Sequence, residues 1–556
     1  MIYNRLKKKV ELRQGLFHSA SEGGMYMSKS TLSLLFAVFV VMALLCPFGV
    51  EAATPKDTLI MAHVSDIATV DPAKAYDSRS YKIISSIYEG LVEFGYKIDK
   101  EGNVVYSHDF KPKLATSWTQ SKDGLTWTFK LRKGVRFQDG TPFNAEAVKF
   151  SLERAMVMKQ GTEWYLTQCL EPEKSIRVID EYTIEFKLTK PYAPFLNVLA
   201  EPVSLVVSPG TVKEHGGVQP EKVNEWMATH ACGTGPFILE SWSPAREIVL
   251  VTNPSYWRSP PKLKKIIFKI IKEASNIVLL LKSGEIDMVL RGLTYKDYAD
   301  LAKTTGVKLY MKRDWTEVRF SPLQNQIKPF DNKKVRQAIN YAIDQKALVD
   351  KVCYGFAVPL TSPIPVGQWG HDSSLWPYRY DPAKAKALLA EAGYPNGFST
   401  ELGYPEADAE RKEVAMVVQG YLKDVGIDAK LEGYSWPTYL DKYWKGGLPM
   451  LMAKWAPLAE PDFLVTAMFH TKNQGKGGNV AFYSNPKVDE LLEKAALEVS
   501  KEKRVKMYQE FQKIVIDEAP WLFLYQPMRL FALRDNVYGF GMPAEEAYNF
   551  YTIYKK

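Results

Sequence analysis

LATSWTQSKDGLTWTFKLRKGVRFQDGTPFNAEAVKFSLER, residues 114–154, is the stretch from which the rest of the chain is read. Asp123-Gly124 is a turn dipeptide. After it Leu125, Trp127, Phe129 and Leu131 alternate with Thr126, Thr128, Lys130 and Arg132, which predicts a strand with one apolar face. Asp139-Gly140 marks a second turn. Asn144 then stands at an N-cap position, ahead of Val148, Leu152, Ala155 and Met156 at helical spacing. None of these residues forms a catalytic constellation, so on its own the segment is a strand–turn–helix corner of a large α/β domain.

The same local rules carry outward. Residues 57–64 predict an opening strand, closed by the turn Val70-Asp71-Pro72-Ala73, and Tyr76-Asp77-Ser78-Arg79 leads into a helix. Gly233-Thr234-Gly235-Pro236 is read as a tight turn; no Lys-Ser/Thr follows, as a phosphate loop would need. Asp331 is the expected cap of a helix carrying Val335, Ala338, Ile339 and Ala342. Asp381-Pro382 and Asn485-Pro486 start further helices, with proline at the first helical position. Residues 521–531 predict a strand after the last long helix.

A chain of 556 residues exceeds one hydrophobic core, and 46% hydrophobic with 24% charged residues is ordinary globular composition. At the front, Lys29 precedes an apolar run over residues 32–46, about 15 long, broken by Pro47 and followed by the small residues Ala52 and Ala53. That is a secretory signal peptide, too short for a membrane span of about 20 residues. Leu45 before Cys46 argues against a lipid anchor. Residues 1–26 are expected to lie upstream of the true start, near Met25 or Met27. The first 52 residues carry six basic and three acidic side chains, so processing lowers the net charge from +9 to about +6. No Arg/Lys-rich run accompanies it, and nucleic acid is not implied. Cys169, Cys232 and Cys353 remain; export permits a disulfide, and Cys169–Cys232 is the expected pair.

Residues 114–154 also resemble, nearly residue for residue, the marker region of the extracytoplasmic solute-binding proteins, family 5, that feed peptides, nickel and related solutes to ABC importers. The resemblance continues through Gly233-Thr234-Gly235-Pro236-Phe237 and Leu281-Lys282-Ser283-Gly284-Glu285-Ile286-Asp287 and covers nearly all of residues 57–535. It implies an α/β, two-lobed periplasmic binding protein of type II, in its large cluster. Lobe I would comprise residues 53–312, with an extra subdomain at about 95–230, and a return over 529–556; lobe II would span 313–528, after a leader of 1–52. Two hinge strands, near 313–323 and 521–531, would join the lobes around a crevice that closes on its ligand.

The resemblance also nominates site residues. Trp436 and Trp455 match two tryptophans that flank the solute in peptide-binding relatives; core packing is the plain alternative for both. Tyr76, Asp77 and Ser78 match a first-lobe loop that touches ligand. Arg319 falls on the first hinge strand and, if buried, needs an anionic partner, either a carboxylate such as Glu317 or the ligand. Relatives that bind dipeptides place an aspartate shortly after the second tryptophan; here Ala456-Pro457-Leu458-Ala459 follow, and Glu460 is the nearest substitute. The expected solute therefore lacks a zwitterionic backbone. Motifs for hydrolases, metal helices and nucleotide loops are missing. His470 reads as structural. No cofactor or metal is expected, and catalysis is not expected either. The expected partners are a small-molecule or peptide-like solute and separate ABC permease and ATPase subunits, with the protein a periplasmic monomer. Competing readings are a secreted hydrolase using Glu460 or Asp462, a periplasmic chaperone with an aromatic groove, and a chemosensory binding protein.

Overall fold

The computed structural model describes residues 54–313, 317–456, 460–475, 478–541 and 550–556. The leader and signal segment expected over residues 1–52 lies outside them, as do Pro457, Leu458 and Ala459 of the stretch after Trp455.

The corner forms as its sequence predicts. Strands Ala115–Gln120 and Thr126–Leu131 pair antiparallel, with Trp118 opposite Phe129 and Gln120 opposite Trp127. Asp123 closes the turn between them by accepting from the Leu125 amide at 3.0 Å. Thr183–Lys187 and Ile176–Asp180 complete a four-stranded sheet. Helix Ala145–Met158 follows, capped by Asn144, whose side chain accepts from the Ala147 amide. Its inner face places Val148 and Leu152 in one hydrophobic core with Phe129 and Phe186. Arg154, buried on the same helix, is paired to the equally buried Asp71, so the expected turn at 70–73 is tied to this subdomain by a two-pronged ion pair.

A ten-stranded sheet is the frame of the molecule. Its first-lobe part sets Thr58–His63 parallel to both Lys265–Ile270 and Met288–Arg291, with Glu247–Thr252 and Phe237–Ser243 added antiparallel. Its second-lobe part pairs Ala453–Trp455 with Val318–Pro322. The strand Trp521–Arg534 joins the two. Its first half pairs with Val318–Pro322 and Ala357–Pro359, its second half with Val307–Arg313 and Met288–Arg291. It is longer than expected because it is buried almost throughout and keeps partners along its whole length. A strand covered on both faces reads as a continuous apolar run rather than an alternation. The second lobe has its own parallel sheet, with Phe398–Pro405 between Ile427–Tyr434 and Met450–Leu451.

Gly233 and Gly235 are required by close approach. A Cβ on either would stand 2.1 Å or 2.6 Å from the Ile87 carbonyl oxygen, so the turn lies directly on the end of helix Ser78–Ile87. Helices Pro382–Glu391 and Pro486–Leu497 begin as expected, capped by Asp381 and Asn485. Helix Lys333–Tyr341 does not: Asn332, not Asp331, caps it, because the Asn332 side chain accepts from the Lys334 amide.

The expected Cys169–Cys232 disulfide is not formed; Cys169, Cys232 and Cys353 are all buried free thiols. Each has a local partner instead. Cys169 donates to the Leu166 carbonyl at 3.6 Å, and burial pushes its thiol up to about 12, so it stays protonated. Burial also raises the Cys232 thiol, which interacts with Thr211 and Asp139.

Candidate functional site

A cavity of about 780 Å³ opens where the long shared strand passes between the lobes. The end of strand Thr58–His63 contributes His63, Val64 and Ser65, and the start of helix Ser78–Ile87 contributes Asp77 and Arg79. Tyr295 and Lys296 come from a later helix, Tyr295–Leu301. The second lobe supplies Glu317, Arg319, Lys454, Glu410, Glu413 and Tyr354. Residues 527–531 of the long strand form the floor.

Register decides which side chains face this space. Val318 stands opposite Trp455, Arg319 opposite Lys454, and Phe320 opposite Ala453. Paired residues share a face. Val318, Phe320 and Ala453 belong to a second-lobe core against which Trp455 packs, which leaves Arg319 and Lys454 facing the cavity.

Arg319 is buried and fully engaged. Its Nε donates to Glu410 Oε1 at 3.0 Å and its Nη1 to Glu317 Oε2 at 3.1 Å; Tyr525, from the long strand, donates to Glu410 at 2.7 Å. Burial opposes the charge on Arg319, but the Glu410 and Glu317 carboxylates outweigh it and hold its pKa well above the ordinary value. Glu410 mirrors this. Burial works to raise it, yet the Arg319 charge and hydrogen bonds from Arg319 and Tyr525 hold it below the usual range. Lys454, whose side chain is still 46% exposed, is lowered by partial desolvation and then by the like charge of Arg319; Asp408 lies 3.9 Å from its Nζ.

Asp77 lines the cavity, but its oxygens are spent on capping. It accepts from the Arg79 and Ser80 amides, the Ser80 hydroxyl and Arg79 Nε. Burial would raise its pKa, and the Ser80 and Arg79 contacts hold it down. Tyr76, next to it, is 75% exposed and outside the lining. Ser78 is the first residue of the helix. Trp436, also outside the lining, opens helix Trp436–Lys445, 52% exposed, stacked at 5.5 Å on Tyr439 with the Arg411 guanidinium over its ring. Trp455 is half-buried against the core. Glu460 is 4% exposed and paired to the buried Arg504, away from the lining. His470 is buried between Asp489 and Glu493 and accepts from the Lys472 amide.

Of the residues nominated from sequence, the structure brings Asp77 and Arg319 to one cavity. Sequence reasoning missed Glu410, Lys454, Tyr295 and Tyr354. Lys454 had a usable signal: in a strand it must face opposite to its neighbour Trp455. Glu410 had none, lying 91 positions from the arginine it pairs with. Among the described residues no group of three or more His, Cys, Asp or Glu side chains is placed to hold a metal, and no helix is long and apolar enough to cross a membrane.

Residues 109–476, well over half of the chain, match the family described as bacterial extracellular solute-binding proteins, family 5 Middle. The chain belongs to this family. This family 5 protein is 32% identical over 515 residues to the probable D,D-dipeptide-binding periplasmic protein DdpA of Escherichia coli K12, covering 91% of this chain and 96% of DdpA. It is 32% identical over 507 residues to the glutathione-binding protein GsiB of Salmonella choleraesuis, covering 90% and 94%. Among solved structures, the ABC transporter-associated periplasmic binding protein DppA of Helicobacter pylori, in complex with the peptide STSA, superposes with a TM-score of 0.72. It is 30% identical, over 90% of this chain and 98% of that one. The two-lobed α/β architecture implied by residues 114–154 is therefore the one found, and solute binding for an ABC importer is the role of the family.

Proposed function

We propose that this family 5 protein captures a small organic solute in the cavity between its lobes, in the periplasm, and presents it to separate permease and ATPase subunits of an ABC importer. The protein itself catalyses nothing and acts as a monomer. Tyr76, Ser78, Trp436 and Trp455 remain proposed ligand contacts, reached from the rim as the lobes move. The carrying observation is the 780 Å³ cavity, walled by both lobes and floored by the strand they share. Its volume suits a drug-sized or peptide-sized ligand.

The solute class follows from which charges are already matched. Arg319 is paired with both Glu317 and Glu410, and the carboxylate in excess of it is answered by Lys454, within electrostatic reach of Glu317; Asp77 is paired with Arg79, and Asp408 with Arg411. Glu460 is committed to Arg504, which supports the view that it does not replace the ammonium anchor missing after Trp455. Among the lining carboxylates Glu413 alone stands outside these ion pairs, exposed at the rim. Such walls favour an uncharged or singly charged peptide-like solute over a free zwitterion, because each anchor taken from its partner leaves a buried charge unmatched.

A thermal-shift panel followed by calorimetry tests this. Stabilisation by mass action is expected from end-blocked or singly charged peptide-like compounds, recovered chemically intact. Micromolar or tighter binding of ordinary free dipeptides at neutral pH refutes the solute class. Breakdown of a bound compound refutes the non-catalytic role.

A further inference from the structure

A second meeting of the lobes lies away from the hinge strands. Phe463, the second residue of second-lobe helix Asp462–Phe469, belongs to the core of the first-lobe subdomain. Its ring centroid is 5.3 Å from that of Tyr165 and 6.4 Å from that of Trp164. Val499 of the second lobe reaches the Asp123-Gly124 turn, where a Cβ on Gly124 would meet Val499 at 3.7 Å and Pro191 at 3.5 Å. The turn that opens the marker region is thus part of this seam.

Beside Phe463 the seam encloses charge. Glu460 and Asp462 are each 4% exposed; Glu460 is ion-paired to the buried guanidinium of Arg504, and Asp462 lies within electrostatic reach of the same group. Arg504 Nη2 also donates to the Tyr508 hydroxyl at 3.0 Å, and the guanidinium lies over the Trp369 ring. Asp462 accepts from Thr466 Oγ1 at 2.8 Å. From the first lobe, Tyr192 lies within electrostatic reach of Asp462, Glu460 and Arg504, and Lys190 within reach of Asp462; Lys472 reaches Asp462 from the second lobe. Lys190 and Lys472 are solvent-exposed. Two carboxylates against one enclosed cation leave a surplus negative charge wherever both are ionised, and water screens it only when the lobes part.

We propose that this seam is a proton-gated latch: the lobes close with uptake of about one proton by the Glu460–Asp462 pair. The proton belongs to the pair rather than to either residue. Burial drives the effect. It pushes Glu460 from an ordinary 4.5 up to about 7 despite Arg504, and it raises Asp462 as well. A carboxyl whose value is higher closed than open binds more protons closed, so closure is strongest in acid. It weakens by up to about tenfold per pH unit between about 4.5 and 7, and is level above that. The latch goes beyond solute capture and holds whichever solute the cavity takes.

Small-angle scattering of the purified, ligand-free protein from pH 5 to pH 8.5 is the test. The radius of gyration is expected to rise between pH 5 and 7 and then to level off. The double variant Glu460→Gln/Asp462→Asn should keep one radius across the range. Phe463→Ala, which removes the apolar plug but neither carboxylate, should already give the larger radius at pH 5. A wild-type radius independent of pH overturns the proposal. So does a pH dependence that survives in the double variant, or a Phe463→Ala protein as compact at pH 5 as wild type. No solute enters the measurement, so a wrong solute class leaves its outcome unaffected.

Discussion

Replacing Arg319 by methionine should expose how much the second lobe relies on one buried cation. The change removes three hydrogen bonds to two carboxylates, Nε and Nη2 to Glu410 and Nη1 to Glu317. Methionine fills much of the volume, so the dominant cost is two carboxylates left close together without their counter-charge. Removing one partner of a buried pair costs about 3–5 kcal/mol. Glu410 keeps 30% of its side-chain exposure, which favours the lower end, about 3 kcal/mol. Glu410→Gln should cost less, about 1–2 kcal/mol, since Glu317 still answers Arg319. The sign of the pH dependence is fixed by the depressed Glu410. In wild type its ionised form contributes stability above the ordinary carboxylate range, lost as pH falls through its lowered folded value. In Arg319→Met only the Tyr525 hydroxyl still opposes burial, so Glu410 takes up a proton more readily and the deficit shrinks on acidification. Urea unfolding followed by tryptophan fluorescence at pH 7 and pH 4 measures this. A loss under about 1 kcal/mol at pH 7, or the same loss at both pH values, would refute the reasoning.

Other expectations are simpler. Gly235→Ala should destabilise the first lobe by about 1–3 kcal/mol, seen as a lower Tm, because the new methyl meets the Ile87 carbonyl oxygen at 2.6 Å. Thiol titration of the processed protein, unfolded without reductant, should find Cys169, Cys232 and Cys353 all reactive, and reductant should leave the Tm unchanged. N-terminal sequencing of protein from the native compartment should begin close to Ala53; a start at Met27 would refute export with cleavage.

What the amino-acid order determines by itself is local. Asp123-Gly124, Asn144, Asp381-Pro382 and Asn485-Pro486 specify turns and helix starts through contacts a few residues apart, and they form as expected. The misplaced cap at Asp331 shows the limit even there, since two neighbouring residues each offered a suitable oxygen and only Asn332 met the amide. The marker region, through its ordered similarity, carried the two-lobed fold with it. Tertiary structure alone decided the site. Whether Trp455 or Lys454 faces the cavity depends on the register of Ala453–Trp455 against Val318–Pro322, and a one-residue slip would exchange them. Glu410 reaches Arg319, and Glu460 reaches Arg504, across 91 and 44 positions of chain. Whether Glu460 faces a ligand or a buried guanidinium depends on which partner lowers the cost of removing it from water, and that partner exists only once the helices have packed.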